Sequence, residues 1–464
     1  MQELLPDVAA AQGYVMHLRK STIFMLFLLA ASAALNAAAW CSSAFADWYA
    51  DVIFPIVTAP LARLTSLLPF SLGEWMLLAA ILWLLFFAAT IILWLALLIA
   101  RHLHRPSAIQ KDVSGEAATA IGNSSGKARI SPSKAAEAFP RFARRFTRAT
   151  CWLVSIILLV MTLNCFILYH VTPIEESLHG YGKEYTIEEL GELRDYVVEQ
   201  CNALSQEMPR DEETNEVIYD GGLAAMAETA RAAMANLAES ASSDSGAGDA
   251  AARTSGGAEA TAGAGLSSVP GPAGRIAILT RLGGWSTTAK GLFFSDFVSQ
   301  QYIQGYYFPF SMEANVNTVM KIMNLPSTIC HELSHTHGFI YEDEANLIGF
   351  LACIYSDDPV FQYSGWLSVL NYVNNSFYSN VDPETYRSHV AISDLVRWDN
   401  EFLSDEAWEA VEEDAVLSTE TVKAATDIYL DTTLKANGVE SGKASYTHVV
   451  ELLLMYFDGS LKTE

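Results

Sequence analysis

The stretch PSTICHELSHTHG, residues 326–338, decides how this chain is interpreted. His331 and His335 are four residues apart, so on an α-helix both lie on one face, one turn from each other. Two imidazoles in that arrangement can bind a single Zn²⁺, and Glu332 would then act as general base on a zinc-bound water rather than as a ligand. A proline at the start and Gly338 at the end suit the boundaries of a short helix. The pattern therefore predicts His331 and His335 as metal ligands and Glu332 as the catalytic residue.

A catalytic zinc site needs three protein ligands and one position left for water. The sequence YEDEAN at residues 341–346 follows the first helix and is expected to open a second one. Glu342 and Asn346 are one turn apart there, so Glu342 would bind the metal while the Asn346 amide orients a neighbouring ligand. The pattern E-x-x-A-N resembles the E-x-x-A-[DN] that follows the two histidines in several gluzincin groups, where the leading glutamate is the ligand. Glu344 points to another face and is the weaker candidate.

Two further parts of the predicted site stay open. The side chain that stabilises the oxyanion would come from elsewhere in the chain, and the sequence does not choose between Tyr363, His389 and Tyr446. Residues 306–317, YYFPFSMEANVN, lie where related zincins place an edge strand that aligns an extended substrate. An ordinary strand or loop is the alternative for that segment.

Three uncharged, mostly apolar segments precede the motif, at residues 21–40, 75–100 and 151–169. Each is long enough to cross the ~30 Å hydrocarbon core of a bilayer as a helix. For the first segment, a cleaved signal peptide is the alternative. The composition agrees with a membrane protein, because 51% of the residues are hydrophobic and only 17% are charged. The shorter apolar segment at residues 52–70, which contains three prolines, suits an interfacial or re-entrant position better than a span.

The distribution of charge predicts the orientation in the membrane. The loop 101–150 carries ten of the basic residues and three acidic ones, and Arg63 is the only basic residue between the first two spans. Because Lys and Arg are retained on the cytoplasmic side, residues 1–20 and 101–150 are expected to be cytoplasmic and everything after the third span extracytoplasmic. Residues 171–464 have a net charge of −30, which argues against nucleic-acid binding.

The part after the spans divides into three by composition. Residues 171–239 read as helical, with helices at 187–204 and 223–237, and residues 240–274 are almost all Ala, Gly, Ser, Thr and Pro, as in a disordered insertion. Residues 275–464 form the predicted metallopeptidase domain. Within it the expectations are a β-like segment at 275–280, extended segments at 291–298 and 302–310, helices from 316 onward, and a closing apolar helix at 446–457.

The chain resembles an uncharacterised bacterial membrane family, DUF3810, over nearly its whole length. The resemblance is carried by PFSLGE at 69–74, by YFP at 307–309 with EAN at 313–315, by HELSHTHGFIYEDEANLIGFLAC at 331–353, and by LKANG at 434–438 with SY at 445–446. It implies three N-terminal spans and a zincin-like domain. The family brings no established substrate.

The expected fold class is therefore mainly α, with three N-terminal transmembrane helices followed by a mostly helical, zincin-like α+β extracytoplasmic domain. The expected protein is a multi-pass, membrane-anchored zinc metallopeptidase of the gluzincin type, whose partners are a peptide or protein substrate and the lipid bilayer. Two alternatives are a non-catalytic scaffold with structural zinc and a zinc hydrolase of a non-peptide cell-envelope amide. The six cysteines form no CxxC pair and indicate no cysteine zinc site, although a Cys330–Cys353 bridge stays open.

Overall fold

The computed structural model describes residues 20–103, 134–244, 276–436 and 445–461. The described chain is mainly helical. Its α-helices are α1 (Lys20–Cys41), α2 (Ser43–Trp48), α3 (Phe54–Thr65), α4 (Leu72–Leu103), α5 (Lys134–Met161), α6 (Ile187–Ser205), α7 (Gly222–Asp244), α8 (Ser295–Ser299), α9 (Leu325–Thr336), α10 (Glu342–Ile354), α11 (Pro359–Asn380), α12 (Pro383–Ser388), α13 (Asp394–Asp399), α14 (Asp405–Glu413), α15 (Thr419–Ala436) and α16 (Ser445–Tyr456). Its strands are β1 (Lys290–Gly291), β2 (Gly305–Phe308) and β3 (Glu313–Val316).

Three helical stretches are long and apolar enough to span a membrane: Lys20–Cys41, Leu72–Ala100 and Ala138–His170. They contain the three segments that the hydropathy of the sequence predicts, and they indicate a membrane protein. The third continues beyond α5 through a π-helical turn and a 3₁₀ turn to its end. Residues 1–19 and 104–133 lie outside the described residues, as does most of the predicted basic loop.

The chain forms two compact units. The first comprises Met1–Leu35 and Ala79–Leu159, and the second comprises Asn36–Leu78 and Val160–Glu464. The sequence predicts residues 21–170 as one membrane domain that contains the three spans and the basic loop. In the structure, Asn36–Leu78 belongs to the same compact unit as Val160–Glu464. Within it, α3 occupies much of the segment 52–70, for which the sequence predicts an interfacial or re-entrant position.

The second unit has one apolar core, in which α9 is almost entirely buried. Helices α7, α10 and α11 pack against α9, while α6 packs in turn on α11 and α16 packs on α10 and α11. The largest buried side chains of this core include Trp366, Tyr363, Phe350 and Tyr456. Burying an aromatic or Leu side chain stabilises a fold by about 1.5–3 kcal/mol, so this core holds α9 rigidly. The helices predicted at 187–204, 223–237 and 446–457 correspond to α6, α7 and α16.

A three-stranded sheet covers one side of α9, with the strand order β1-β3-β2. β1 pairs with β3 in parallel, and β2 pairs with β3 in antiparallel register, Gly305 opposite Val316 and Phe308 opposite Glu313. β3 is therefore the central strand and is wholly buried, whereas β2 lies at an edge.

Two predictions of extended structure near the sheet are wrong. The segment expected to be β-like at 275–280 forms a 3₁₀ helix at Ala277–Leu282, because Ile276, Leu279 and Leu282 are the buried residues and their three-residue spacing fits that helix. The segment expected to be extended at 291–298 contains α8. The predicted insertion begins later than expected, since α7 continues to Asp244. The rest of that insertion lies outside the described residues.

Gly338 ends the segment that carries the two histidines, as the sequence predicts. Its φ of +95° is in the left-handed region, and its N–H donates to the carbonyl of His335 at 3.0 Å. The following N–H, from Phe339, donates to the carbonyl of Ser334 at 3.3 Å. These two bonds satisfy carbonyls at the end of α9 and turn the chain back toward α10.

Replacing Gly338 with alanine is expected to destabilise the second unit by about 1–2 kcal/mol, because a Cβ disfavours positive φ. The site itself has room for a methyl group, since the nearest atoms would be 3.4 Å away. Thermal unfolding of the full chain in detergent measures the change. Gly283→Ala is the matched control because the φ of Gly283 is −85°, and an equal loss in both variants would contradict the account.

Candidate metal centre

His331, His335 and Glu342 converge at the junction of α9 and α10. Their ligand atoms lie within 4.8 Å of one another. The Nε2 atoms of the two imidazoles are 3.1 Å apart, and Glu342 places Oε2 3.1 Å from His331 Nε2 and Oε1 3.8 Å from His335 Nε2. Helix α9 supplies the imidazoles one turn apart, and the first residue of α10 supplies the carboxylate. The three residues predicted as ligands are thus brought together.

The tautomer of each imidazole is set by a partner behind the ring. His335 Nδ1 is 2.6 Å from the carbonyl oxygen of Phe339, which can only accept, so Nδ1 carries the proton. His331 Nδ1 is 3.0 Å from Asn346 Oδ1, and Asn346 lies one turn after Glu342, as the predicted orienting role requires. When both rings are neutral, the two Nδ1 atoms donate and the two Nε2 atoms present lone pairs to the same point, which is the form in which imidazole binds a metal.

The spacing of these atoms fits a tetrahedral cation. Zn–N and Zn–O bonds of ~2.0–2.1 Å place neighbouring ligand atoms of a tetrahedron roughly 3.3 Å apart. Two of the three separations are 3.1 Å, close to that value. Two imidazole lone pairs this close repel each other unless a positive charge lies between them. A set of two histidines and one glutamate is also the ligand set of known catalytic zinc sites. The residues present therefore fit a zinc ion.

The electrostatics of the cluster favour positive charge. Burial acts to lower the pKa of His335, but the Glu342 carboxylate outweighs it and raises that pKa to about 9. Desolvation acts to raise the pKa of Glu342, but the two imidazoles and their hydrogen bonds hold it well below its usual range. A carboxylate that stays ionised beside two imidazoles is suited to neutralise part of the charge of a divalent ion.

Asn346→Ala should weaken zinc affinity roughly 10- to 100-fold, the usual effect of removing a residue that orients a metal-binding histidine. The reason is that His331 loses the acceptor that holds its tautomer and ring orientation. Competition against a chromophoric zinc chelator measures the affinity. Asn374, on α11, bonds Arg194 and not the cluster, so Asn374→Ala is the control and should bind zinc as the wild type does.

Glu332 has the burial and the free oxygen that a general base requires. Its side chain is buried, and among the described residues Oε2 has no hydrogen-bond partner. Burial raises the pKa of its carboxyl to about 7, against the opposing effect of the two histidines. A buried carboxylate oxygen without a partner costs free energy, and such groups occur chiefly where a water molecule or a substrate completes them.

The edge strand β2 runs beside this carboxylate. A Cβ added to Gly305 would lie 2.8 Å from Glu332 Oε1 and 2.6 Å from the carbonyl oxygen of Asn315, so only glycine allows the strand to approach this closely. The other edge of β2 has no paired strand among the described strands. An extended chain could therefore pair with β2 next to Glu332.

Three of the other residues that the sequence offers as candidates bond groups outside the cluster. Glu344 is buried, accepts a hydrogen bond from the N–H of Ile174 at 2.8 Å, and has a pKa raised to about 7 by burial. The Tyr363 hydroxyl bonds Asp399 at 2.8 Å, and His389 Nδ1 is 2.8 Å from Asp195. The side chain of Tyr446 lies outside the described residues. None of these structural contacts identifies an oxyanion-stabilising residue.

Two contributors to the site are invisible to motif analysis. The first is the Phe339 carbonyl, which orients His335. The turn at Gly338 brings this backbone oxygen back to the end of α9, and no side-chain motif indicates it. The Tyr307 ring lies 6.0 Å from the His335 ring and its hydroxyl contacts Met312 Sδ, so Tyr307 packs behind the ligand. Near the site, the Sγ atoms of Cys330 and Cys353 are 3.9 Å apart, and both thiols are free.

A histidine on α16 joins the first turn of α10 to the segment that follows the third apolar helix. His448 contacts Asp343 through Nδ1 and Glu175 through Nε2, the latter at 2.8 Å. The hydrogen bond to Asp343 is the main cause of a rise in the pKa of His448 to about 9. Since Asp343 follows Glu342 directly, the interaction helps to hold the first turn of α10.

This interaction predicts a pH-dependent stability. The pKa of His448 is higher in the folded state, about 9, than its ordinary value of 6.5, so its stabilising effect is complete below pH 6.5 and is lost as the pH rises through 9. The melting temperature of His448→Gln should therefore fall furthest below that of the wild type near pH 6, and the two should converge near pH 10. Exposed His179→Gln is the control. A gap that does not narrow with pH would contradict the ion-pair account.

The fold and the cluster define a class: a mainly helical membrane protein in which two helices bring two histidines and a glutamate to one point. The chain belongs to the family described as protein of unknown function (DUF3810), which matches residues 127–454. It is the family that the sequence motifs resemble. No curated protein and no solved structure matches the chain.

Proposed function

We propose that this protein is a membrane-anchored zinc metallopeptidase, with His331, His335 and Glu342 as the metal ligands. The observation that carries the proposal is the unpartnered, buried Glu332 oxygen beside three convergent ligands. A structural zinc site uses all its positions for protein groups and has no need of a buried, unpaired carboxylate next to it. The arrangement therefore favours hydrolysis over the scaffold alternative.

In this proposal each residue has a defined task. When bound, zinc supplies Lewis-acid activation of a water molecule and of the scissile carbonyl. Glu332 accepts a proton from the attacking water at Oε2 and passes it to the leaving amine. Burial disfavours the ionised carboxylate and so makes Glu332 a better proton acceptor, which suits the first half of that transfer. Asn346 and the Phe339 carbonyl keep the two imidazoles in the ligand tautomer.

An extended peptide is the substrate form that the surroundings of Glu332 accept best. Pairing with β2 would hold the substrate backbone along the edge strand, and Gly305 leaves the space beside Glu332 that a scissile peptide group needs. This supports a peptide or protein over a non-peptide amide, which has no strand to pair.

The side of the membrane is proposed from charge. The ten basic residues of the loop 101–150 favour a cytoplasmic loop, so the second unit would be extracytoplasmic and its substrates would be envelope or secreted polypeptides. A reporter enzyme that is active only outside the cytoplasm, fused after Glu464, tests this. Activity of a cytoplasm-specific reporter at that position would reverse the assignment.

The experiment for the activity uses the full chain purified in detergent. A peptide library and casein are incubated with it before and after treatment with a chelator, and again after one equivalent of zinc is returned, with products identified by mass spectrometry. The proposal expects cleavage that chelation abolishes and zinc restores. Stoichiometric zinc without cleavage of any peptide would favour the scaffold alternative, and turnover of cell-wall amides alone would favour the non-peptide hydrolase.

A further inference from the structure

Three aromatic side chains form an exposed patch where the chain leaves β1 and enters α8. Phe293 is 80% exposed, Phe297 53% and Phe294 47%, and the rings of Phe293 and Phe294 are in edge-to-face contact at 5.1 Å. Ser295 and Val298 of the same segment are buried, so the aromatic side chains occupy the outer face of a well-packed segment. Exposed aromatic groups of this kind mark an interaction surface. We call these three residues the aromatic patch.

The patch is attached to the first turn of α4, the second apolar helix. Glu74 is buried, and its two carboxylate oxygens accept the N–H groups of Phe293 and Phe294, each at 2.9 Å. The preceding N–H of Gly73 donates to Glu313 of β3 at 2.8 Å. Two charge-assisted bonds at one carboxylate hold the backbone of the patch at the level of Glu74.

Glu74 lies at the boundary of the second apolar segment. The uncharged run begins one residue later, at Trp75, and the side chains of Trp75, Met76 and Leu77 are exposed. A helix rises about 1.5 Å per residue, so the backbone of the patch is within a few ångströms of the point where the span begins. Tryptophan is enriched at this boundary between lipid and water, where aromatic rings are stable.

A second exposed apolar surface is connected to β1, the strand that precedes the aromatic patch. Lys290 of β1 donates to the carbonyl of Thr65 at the end of α3, at 2.7 Å, and forms a buried ion pair with Glu313. Around that end of α3, Leu64, Leu67 and Phe70 are exposed. The segment that leads into α4 and the segment that carries the patch thus both present apolar side chains, and hydrogen bonds join them.

We propose that the aromatic patch lies in the interfacial layer of the bilayer that α4 enters, as an additional lipid contact of the second unit. The occupant is lipid rather than a second protein because the Glu74 bonds place the patch beside a helix that needs lipid around it. Asp296 is the charged residue within the patch segment, and its presence limits the patch to the interface, since a carboxylate in the hydrocarbon core is costly. This inference does not depend on the proposed peptidase activity.

Photo-crosslinking in a bilayer tests the proposal. The full chain, with Phe293→p-benzoylphenylalanine, is reconstituted in nanodiscs of phosphatidylcholine and phosphatidylglycerol and irradiated, and adducts are identified by mass spectrometry. The same replacement at Phe297 gives a second reporter. Tyr378 is the matched control, because it is an aromatic residue with 58% exposure that packs on Tyr386 of α12. Unchanged melting temperatures show that the labelled chains are folded.

The expected result is roughly tenfold more lipid adduct at positions 293 and 297 than at 378, because an aromatic side chain in the interface has lipid as its main neighbour. Equal lipid adduct at all three positions would overturn the proposal. Adducts to a second copy of the chain instead of lipid would overturn it as well, since they would assign the patch to a protein interface.

Discussion

Glu332→Gln is expected to lower the turnover of peptide substrates by about 10²–10⁴-fold, the range of general acid–base catalysis, while zinc content stays unchanged. Glutamine has the shape of the carboxylate but cannot accept the proton of the attacking water. The fold should persist, because the substitution removes a buried charge whose Oε2 has no partner among the described residues. Single-turnover cleavage of a peptide identified from the library, with zinc determined by mass spectrometry, measures both effects.

Glu344→Gln is the control for this change. Glu344, near the start of α10, is also buried, has an Oε2 without a partner among the described residues, and has a pKa raised to about 7. Its Oε1 accepts the N–H of Ile174, and Glu344 is not one of the three convergent groups. Its glutamine variant should retain turnover. If both variants lost activity equally, a general effect of buried carboxylates on the fold would explain the loss, and Glu332 would have no special role.

His335→Ala is expected to abolish stoichiometric zinc binding and, with it, all turnover. Only His331 and Glu342 would remain, and a pair of ligands binds zinc far more weakly than the three that known catalytic sites use. His335 is also buried and its ring packs against Tyr307, so a loss of about 2–4 kcal/mol in stability is expected from the lost packing and metal. Metal analysis after dialysis and thermal unfolding measure the two effects.

His337→Ala is the control, because it removes a buried histidine from the same segment without removing a candidate ligand. His337 packs against Trp285 in a tilted arrangement with ring centroids 4.7 Å apart, and burial lowers its pKa to about 4, so the ring is neutral. It is not one of the three convergent ligand groups. This variant should be less stable than the wild type yet keep one zinc per chain. Loss of zinc from both variants would show that the metal depends on the packing of α9 as a whole.

The positions of the three candidate ligands could be predicted because they depend on residues only a few positions apart in the sequence. His331 and His335 had to share a helix face, Gly338 had to end the helix, and Glu342 and Asn346 had to lie one turn apart in the next helix. The three apolar helices also follow from a local pattern, whereas the catalytic role of Glu332 stays a prediction. The metal itself and the reaction stay predictions.

The remaining features depend on contacts between residues far apart in the chain, which no spacing reveals. The bonds of Glu74 to Phe293 and Phe294 join segments more than 200 residues apart, and they are among the contacts that hold residues 36–78 to the rest of the second unit. The sequence predicts a β-like segment where the structure has the 3₁₀ helix Ala277–Leu282, because a short apolar run is compatible with a strand or a helix. The burial of every third residue in this segment is known only from the elements that pack around it.

X-ray absorption at the zinc edge of the full chain in detergent tests the central claim most directly. We predict one zinc per chain with four nitrogen or oxygen neighbours at about 2.0–2.1 Å, two of them imidazoles, and one exchangeable water. His335→Ala should remove the signal. A chain that binds no zinc, a sulfur neighbour from a cysteine, or four protein ligands without water would contradict an open site built from His331, His335 and Glu342.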